Sequence, residues 1–256
     1  MAIKLLKVQG VKKYFGQGAR RRLVLDDVSF DLDAGARLGI VGRSGCGKST
    51  LVKIIARLFD SDDGLIVFDG KDITRTSGAQ LRSVYRRMQM IFQSPEDSFN
   101  PRRTLGWSIG EPLRSWSIPN AEARVEELLN IVGLPREFAL RYPHEVSGGQ
   151  CQRAAIARAL ALEPKLLICD EATSALDVTV QEQVVDLLRR LSVEKGIALL
   201  FITHDLALLP RIVDRVLVMS AGRVVEAGAV NDVIERPQSA RTRELMSADF
   251  FSMEVN

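Results

Sequence analysis

The chain has 256 residues, 46% of them hydrophobic, enough to bury a sizeable core as one large domain or two small ones. Lysine and arginine exceed the acids by only 35 to 32, a formal charge of +3, which argues against nucleic acid as a partner. The 3 cysteines (Cys46, Cys151 and Cys169) lack metal-ligand spacing, no signal-peptide pattern opens the chain, and no run approaches the roughly 20 apolar residues of a membrane helix. Free thiols in a reducing compartment are expected. If the protein works at a membrane, another chain spans it.

Residues Ile3 to Phe15 and Leu23 to Asp33 alternate apolar and polar and read as an antiparallel strand pair, with residues 16–22 as its turn. Tyr14 either packs in its strand or stacks on a base, and Arg20-Arg21-Arg22 reads as a solvated turn. The apolar strand Arg37 to Val41 then runs into Gly42-Arg43-Ser44-Gly45-Cys46-Gly47-Lys48-Ser49-Thr50, and Leu51 to Phe59 is helical. Gly42, four free positions, Gly47, Lys48 and a hydroxyl, between a strand and a helix, make a phosphate-binding loop. Glycines let successive N–H groups point into one concavity, to which the helix N-terminus adds partial positive charge. Lys48 can reach β- and γ-phosphates, and the Ser49 hydroxyl can serve Mg²⁺. Cys46 sits inside this loop near a helix N-terminus, where thiols can be reactive, although a small space-filling residue is the plainer reading.

A turn at Ser61-Asp62-Asp63-Gly64 leads to a strand at Leu65 to Phe68, a turn at Asp69-Gly70, a helix at Ala79 to Arg87 and a strand at Met88 to Phe92. That strand ends at Gln93, and in open α/β sheets ligands bind beyond the carboxyl ends of strands. From Ser94 to Val146 prolines punctuate helical stretches such as Ala121 to Val132, which reads as a helical insert; His144 lies in a Pro-flanked loop and is assigned no chemistry. Val146-Ser147-Gly148-Gly149-Gln150 closes it and opens the helix Cys151 to Leu162, with Ser147 as N-cap. Two bare glycine amides there make a second anion-receptive helix end.

The apolar strand Leu166 to Cys169 terminates in Asp170-Glu171, an adjacent carboxylate pair that is costly unless it meets a metal, a water or a donor. Asp170 fits the Mg²⁺ side and Glu171 the base that handles an attacking water. The helix Val180 to Glu194 has one apolar face, and the strand Ile197 to Thr203 delivers His204 to the same end of the sheet as Gln93 and Glu171. Strands at Arg215 to Met219 and Arg223 to Glu226, then helices at Ala229 to Glu235 and Arg241 to Met246, complete the chain.

Across nearly its whole length the sequence resembles an ATP-binding cassette ATPase. Gly42 to Thr50 matches the family's Walker A motif, Gln93 its Q-loop, Val146 to Gln150 its signature, Leu166 to Glu171 its Walker B motif, Ser174-Ala175-Leu176-Asp177 its D-loop and His204 its switch histidine. Val146 and Ala172 stand where the family most often has leucine and proline. The resemblance implies an α/β fold: a P-loop NTPase core with an antiparallel β subdomain (1–93 and 163–228), an inserted α-helical subdomain (94–162) and a helical tail (229–256). It implies ATP and Mg²⁺ as cofactors, the ion on Ser49, Gln93 and Asp170, and Tyr14 as the aromatic that stacks on adenine. It also implies head-to-tail pairing, as a homo- or heterodimer, in which Ser147, Gly148, Gly149, Gln150 and Asp177 of one chain meet the nucleotide held by the other.

A finer resemblance rests on Gln89-Met90-Ile91-Phe92-Gln93, Phe99-Asn100-Pro101-Arg102-Arg103-Thr104 and Glu111-Pro112-Leu113. It points to the ATP-binding subunits of bacterial peptide and nickel importers. Expected partners are integral-membrane permeases at the cytoplasmic face of the inner membrane and, indirectly, a periplasmic or lipid-anchored substrate-binding protein. The competing expectation is an accessory ATPase of a soluble enzyme complex, such as phosphonate-degrading machinery. A DNA-repair or translation ATPase of the same superfamily would carry a long coiled-coil insertion or a second cassette, and neither is visible.

Overall fold

The computed structural model describes residues 4–174 and 176–253; Ile3 of the first expected strand and Ala175 of the D-loop lie outside the described residues. Ten strands are described: β1 Lys4–Phe15, β2 Arg22–Asp33, β3 Arg37–Val41, β4 Asp63–Phe68, β5 Lys71–Asp72, β6 Met88–Ile91, β7 Leu166–Asp170, β8 Ala198–Ile202, β9 Arg215–Ser220 and β10 Arg223–Ala229. The helices are α1 Lys48–Ile55, α2 Gly78–Arg87, α3 Leu105–Ser115, α4 Ala121–Ile131, α5 Gly148–Leu160, α6 Val178–Lys195, α7 Leu209–Ile212, α8 Val230–Glu235 and α9 Ala240–Met253.

The strands form two sheets, an antiparallel one in the order β2-β1-β4-β5 and a second in the order β10-β9-β3-β8-β7-β6, parallel from β9 to β6 with β10 antiparallel at its edge. Because helices cover one face of the second sheet and the antiparallel sheet covers the other, β7 and β8 are buried along their whole lengths, which is why they read as unbroken apolar runs. Alternate side chains sort onto the two faces. Leu38, Ile40, Ile168, Leu200 and Ile202 pack with Leu6, Leu25 and Ile66 of the antiparallel sheet and with Leu51, Ile54 and Ile55 of α1. Leu167, Cys169, Leu199 and Phe201 pack instead with Ile109, Leu128, Ile156, Val184 and Leu188 of the helices.

The phosphate-loop helix begins at Lys48, three residues earlier than its apolar spacing suggested, and stops at Ile55 because Arg57 turns left-handed at φ 58°. In the helical insert, α3 keeps Leu105, Ile109 and Leu113 buried on one side, and Thr104 caps it by accepting from the Trp107 amide at 3.2 Å. The sequence concealed α3 because Pro112 lies inside it. Strand β10 runs to Ala229, three residues past the expected end, and α9 is longer than the Arg241 to Met246 stretch.

Candidate active site

The parallel strands bring four loops to one edge in register. Gly39, Phe201, Cys169 and Ile91 pair in one row across β3, β8, β7 and β6, so two residues further on stand Val41, Thr203, Glu171 and Gln93. His204 follows one position later. Residues as far apart in the sequence as Val41 and His204 are thus delivered to one ledge by strand pairing alone.

At the end of β3 the chain curls into the phosphate loop. A Cβ on Gly42 would lie 2.2 Å from the Met219 carbonyl oxygen and 2.8 Å from Cys46 Sγ, and its φ of 149° suits glycine, so no other residue closes this curl without moving β9. Lys48 is 5% exposed and donates from Nζ to the carbonyls of Gly42 (2.6 Å) and Arg43 (3.3 Å), which holds the ammonium at the loop it would serve. Cys46 is buried, with its amide donating to the Arg43 carbonyl and its carbonyl accepting from the Gly222 amide, as a space-filling residue would be.

One step into α1, Ser49 Oγ donates to Asp170 Oδ1 at 3.0 Å, joining the phosphate loop to the end of β7. Burial pushes the Asp170 carboxyl above the usual carboxylate range, against the pull of the Ser49 hydrogen bond and of Lys53, while Glu171 pushes it further up. A desolvated carboxylate beside a hydroxyl favours a cation. Among the described residues no three His, Cys, Asp or Glu side chains cluster. A hydroxyl and one carboxylate suit Mg²⁺, which takes one or two carboxylates and completes its shell with phosphate oxygens and water.

Glu171 is half-buried, in the left-handed region at φ 50°, with its amide donating to the Ile202 carbonyl at 3.1 Å. Such backbone strain in a non-glycine residue persists where the surroundings impose it. Ser174 Oγ donates to the Glu171 carbonyl at 3.0 Å and accepts from Gln93 Nε2 at 3.3 Å, so the Q-loop side chain is tied to the carboxylate turn through the D-loop serine. His204 is exposed at the end of β8, and the neighbouring Asp205 accepts from the Ala207 amide at 3.0 Å. Tyr14 is half-buried with the Arg21 guanidinium 3.9 Å from its ring centroid, and its amide donates to Asp62 Oδ2 at 2.6 Å. One of the three arginines read as a solvated turn therefore stacks on the expected base-binding aromatic.

The N-cap expected at Ser147 is present. Ser147 Oγ accepts from the Gln150 amide at 3.3 Å and Gln150 Oε1 accepts from the Ser147 amide at 2.9 Å, a reciprocal capping box at the start of α5. Asp177 is exposed and caps α6, accepting from the Val180 amide at 3.0 Å. Gly149 has a packing role that its bare amide did not reveal: a Cβ there would lie 2.4 Å from Val180 Cγ1 of α6.

One residue escaped sequence reasoning. Arg158, in the Ala- and Arg-rich α5, donates from Nη1 to the Ser98 carbonyl (2.6 Å) and from Nη2 to Ser98 Oγ (2.8 Å), and lies 4.4 Å from the Phe99 ring centroid. It straps the segment just past Gln93 to the signature helix. Nothing local distinguishes this arginine from Arg153 of the same helix.

A phosphate loop whose hydroxyl meets a buried strand-end carboxylate, alongside a helical insert that opens on a capped Ser-Gly-Gly, defines a nucleotide-binding cassette. The ABC transporter sequence profile matches residues 25–174. The chain belongs to that family. It is 48% identical over 241 residues to the oligopeptide transport ATP-binding protein OppF of Salmonella typhimurium, covering 93% of this chain and 72% of that one. To OppF of Bacillus subtilis it is 45% identical, covering 97% and 83%. To the glutathione import ATP-binding protein GsiA of Pectobacterium atrosepticum it is 52% identical over 88% of this chain, but it spans only 36% of that protein's length. A solved dimeric ATP-binding cassette in a post-hydrolysis state, bound to ADP and Pi, superposes with a TM-score of 0.80 at 29% identity, covering 88% of this chain and 98% of that one. No helix among the described residues is long and apolar enough to cross a membrane.

Proposed function

We propose that this chain is the ATP-hydrolysing subunit of a bacterial importer that takes up peptides or peptide-like solutes through separate permease chains. The observation that carries the reading is the Ser49–Asp170 hydrogen bond, which joins phosphate loop and strand-end carboxylate into one site. Lys48 and the loop amides bind the β- and γ-phosphates. Ser49 and Asp170, with Gln93, would hold Mg²⁺, which would supply positive charge to the transferred phosphoryl group. Glu171 accepts the proton of the attacking water, and His204 and Gln93 sense the γ-phosphate. Two chains pair so that Ser147, Gly148, Gly149, Gln150 and Asp177 of one complete the nucleotide site of the other; the dimeric form of the solved neighbour supports this pairing. Peptide cargo is favoured over nickel because the relatives carry oligopeptide and glutathione in their names. The place of work is the cytoplasmic face of the inner membrane, where permeases receive the motion, with a substrate-binding protein acting on the far side.

The test is affinity purification of the tagged protein from detergent-solubilised native membranes, with co-purifying chains identified by mass spectrometry. Two permeases are expected, and a second ATPase among them would make the pair a heterodimer. Soluble lyase components without any membrane chain would replace the importer by the accessory-enzyme reading.

A further inference from the structure

We infer that Glu244 of the tail helix α9 is a positioning residue for the phosphate loop, restraining Arg43 and so weakening nucleotide binding. The inference rests on the reading of Gly42 to Thr50 as the nucleotide's phosphate cradle. Arg43 is the first free position of that loop, and its backbone carbonyl accepts from both the Cys46 amide (3.2 Å) and Lys48 Nζ (3.3 Å). Its side chain turns the other way: Nη1 lies 3.1 Å from Glu244 Oε1, while Arg241 Nη1 lies 2.9 Å from Glu244 Oε2. A cavity of about 230 Å³ separates loop and tail, lined by Gly42, Arg43, Met219, Ser220, Arg241 and Glu244.

Glu244 is well placed to act because α9 is fastened to the sheet. Glu226 of β10 accepts from the amides of Gln238 (2.8 Å) and Ser239 (2.9 Å), just ahead of the helix. Arg243 Nη1 ties back to the carbonyls of Pro237 and Gln238, each at 3.0 Å, and Thr242 and Met246 are buried. The carboxylate of Glu244 therefore neutralises one guanidinium beside an anion-binding loop and holds it toward the tail. Removing that charge releases Arg43 toward the phosphates, which tightens binding through Arg43.

The experiment measures ADP affinity of the full chain by calorimetry for the wild type, Glu244→Gln, Arg43→Gln and the double variant, at low and high salt. Glu244→Gln is expected to lower the Kd about two- to fivefold, the range for an exposed ion pair. The gain should shrink as salt screens it and vanish in the Arg43→Gln background, whereas a merely structural tail contact would move the melting temperature and not this coupling. An unchanged or raised Kd in Glu244→Gln overturns the inference, as does a gain that persists without Arg43. Absence of ADP binding in the wild type sinks the phosphate-cradle reading itself and the inference with it.

Discussion

The contact between α5 and α6 offers a perturbation whose size follows from the coordinates. An alanine at Gly149 places its Cβ 2.4 Å from Val180 Cγ1, 3.6 Å from Val180 Cβ and 3.8 Å from Cγ2. Carbon atoms sit at about 3.5–4.0 Å in ordinary contact, so only the Cγ1 methyl is in conflict, and by more than about 1 Å. Val180 lies within α6, where a β-branched side chain is stiff at χ1 and cannot rotate away freely. Overpacking of this kind costs about 1–3 kcal/mol, so Gly149→Ala should lower unfolding stability by that amount in chemical denaturation. Val180→Ala alone should cost about 1 kcal/mol for a half-buried valine. The pair removes the clash, and the cycle should show a favourable coupling of at least about 1 kcal/mol. Because the added Cβ points at α6 of the same chain and the amide of residue 149 is retained, ATP hydrolysis should recover with stability in the double variant. Additive stability losses would refute the packing argument. Recovered stability with hydrolysis still absent would assign the glycine to close approach of a second chain's nucleotide.

Four further outcomes are expected. Glu171→Gln should retain ATP binding while hydrolysis falls by about a hundredfold or more, the loss of a general base; near-normal turnover would remove Glu171 from that role. Arg158→Met should lower stability by about 2 kcal/mol through two lost charge-assisted hydrogen bonds to Ser98, and Arg158→Lys should not restore it, since an ammonium lacks the two-pronged geometry; denaturation of both variants decides it. Hydrogen bonding to Lys165, then the charges of Lys165 and Arg87, hold the Asp69 carboxyl below the usual range despite its partial burial. A depressed folded-state pKa contributes stability above the unfolded value of about 3.9 and loses it as pH falls through the folded one. Asp69→Asn should therefore destabilise at pH 7 and converge on the wild type in strong acid; a pH-independent difference in melting temperature would contradict this. Gln152 in α5 is fully buried with no hydrogen-bond partner for either amide atom among the described residues, so Gln152→Met should raise stability by about 1–2 kcal/mol, and a drop on thermal melting would mean that the amide is satisfied.

The chemistry at the strand ends was legible because it is written locally. Glycines with a lysine and a hydroxyl after one apolar strand, and two acids after another, declare a polar ledge on an apolar sheet, and strand pairing needed only to align them. Both face-specific clusters were also foreshadowed, since a strand alternates its side chains whatever covers it. What stayed hidden has a common physical character: it joins residues far apart in sequence through side chains of unremarkable type. Arg158 and Ser98 are 60 positions apart, and Arg43 and Glu244 are 201 apart. No periodicity relates the members of such pairs. Gly149 shows the same limit from the other side, because its bare amide is visible in the sequence whereas Val180, which forbids a Cβ there, comes from the next helix. The parts of the site proposed to touch a nucleotide are thus local motifs, and the parts that would carry its state elsewhere, from α5 to the segment after Gln93 and from tail to phosphate loop, are long-range contacts. Coupling between such parts follows from the tertiary packing alone, so variants at Arg158 and Glu244 probe communication that motif residues cannot report.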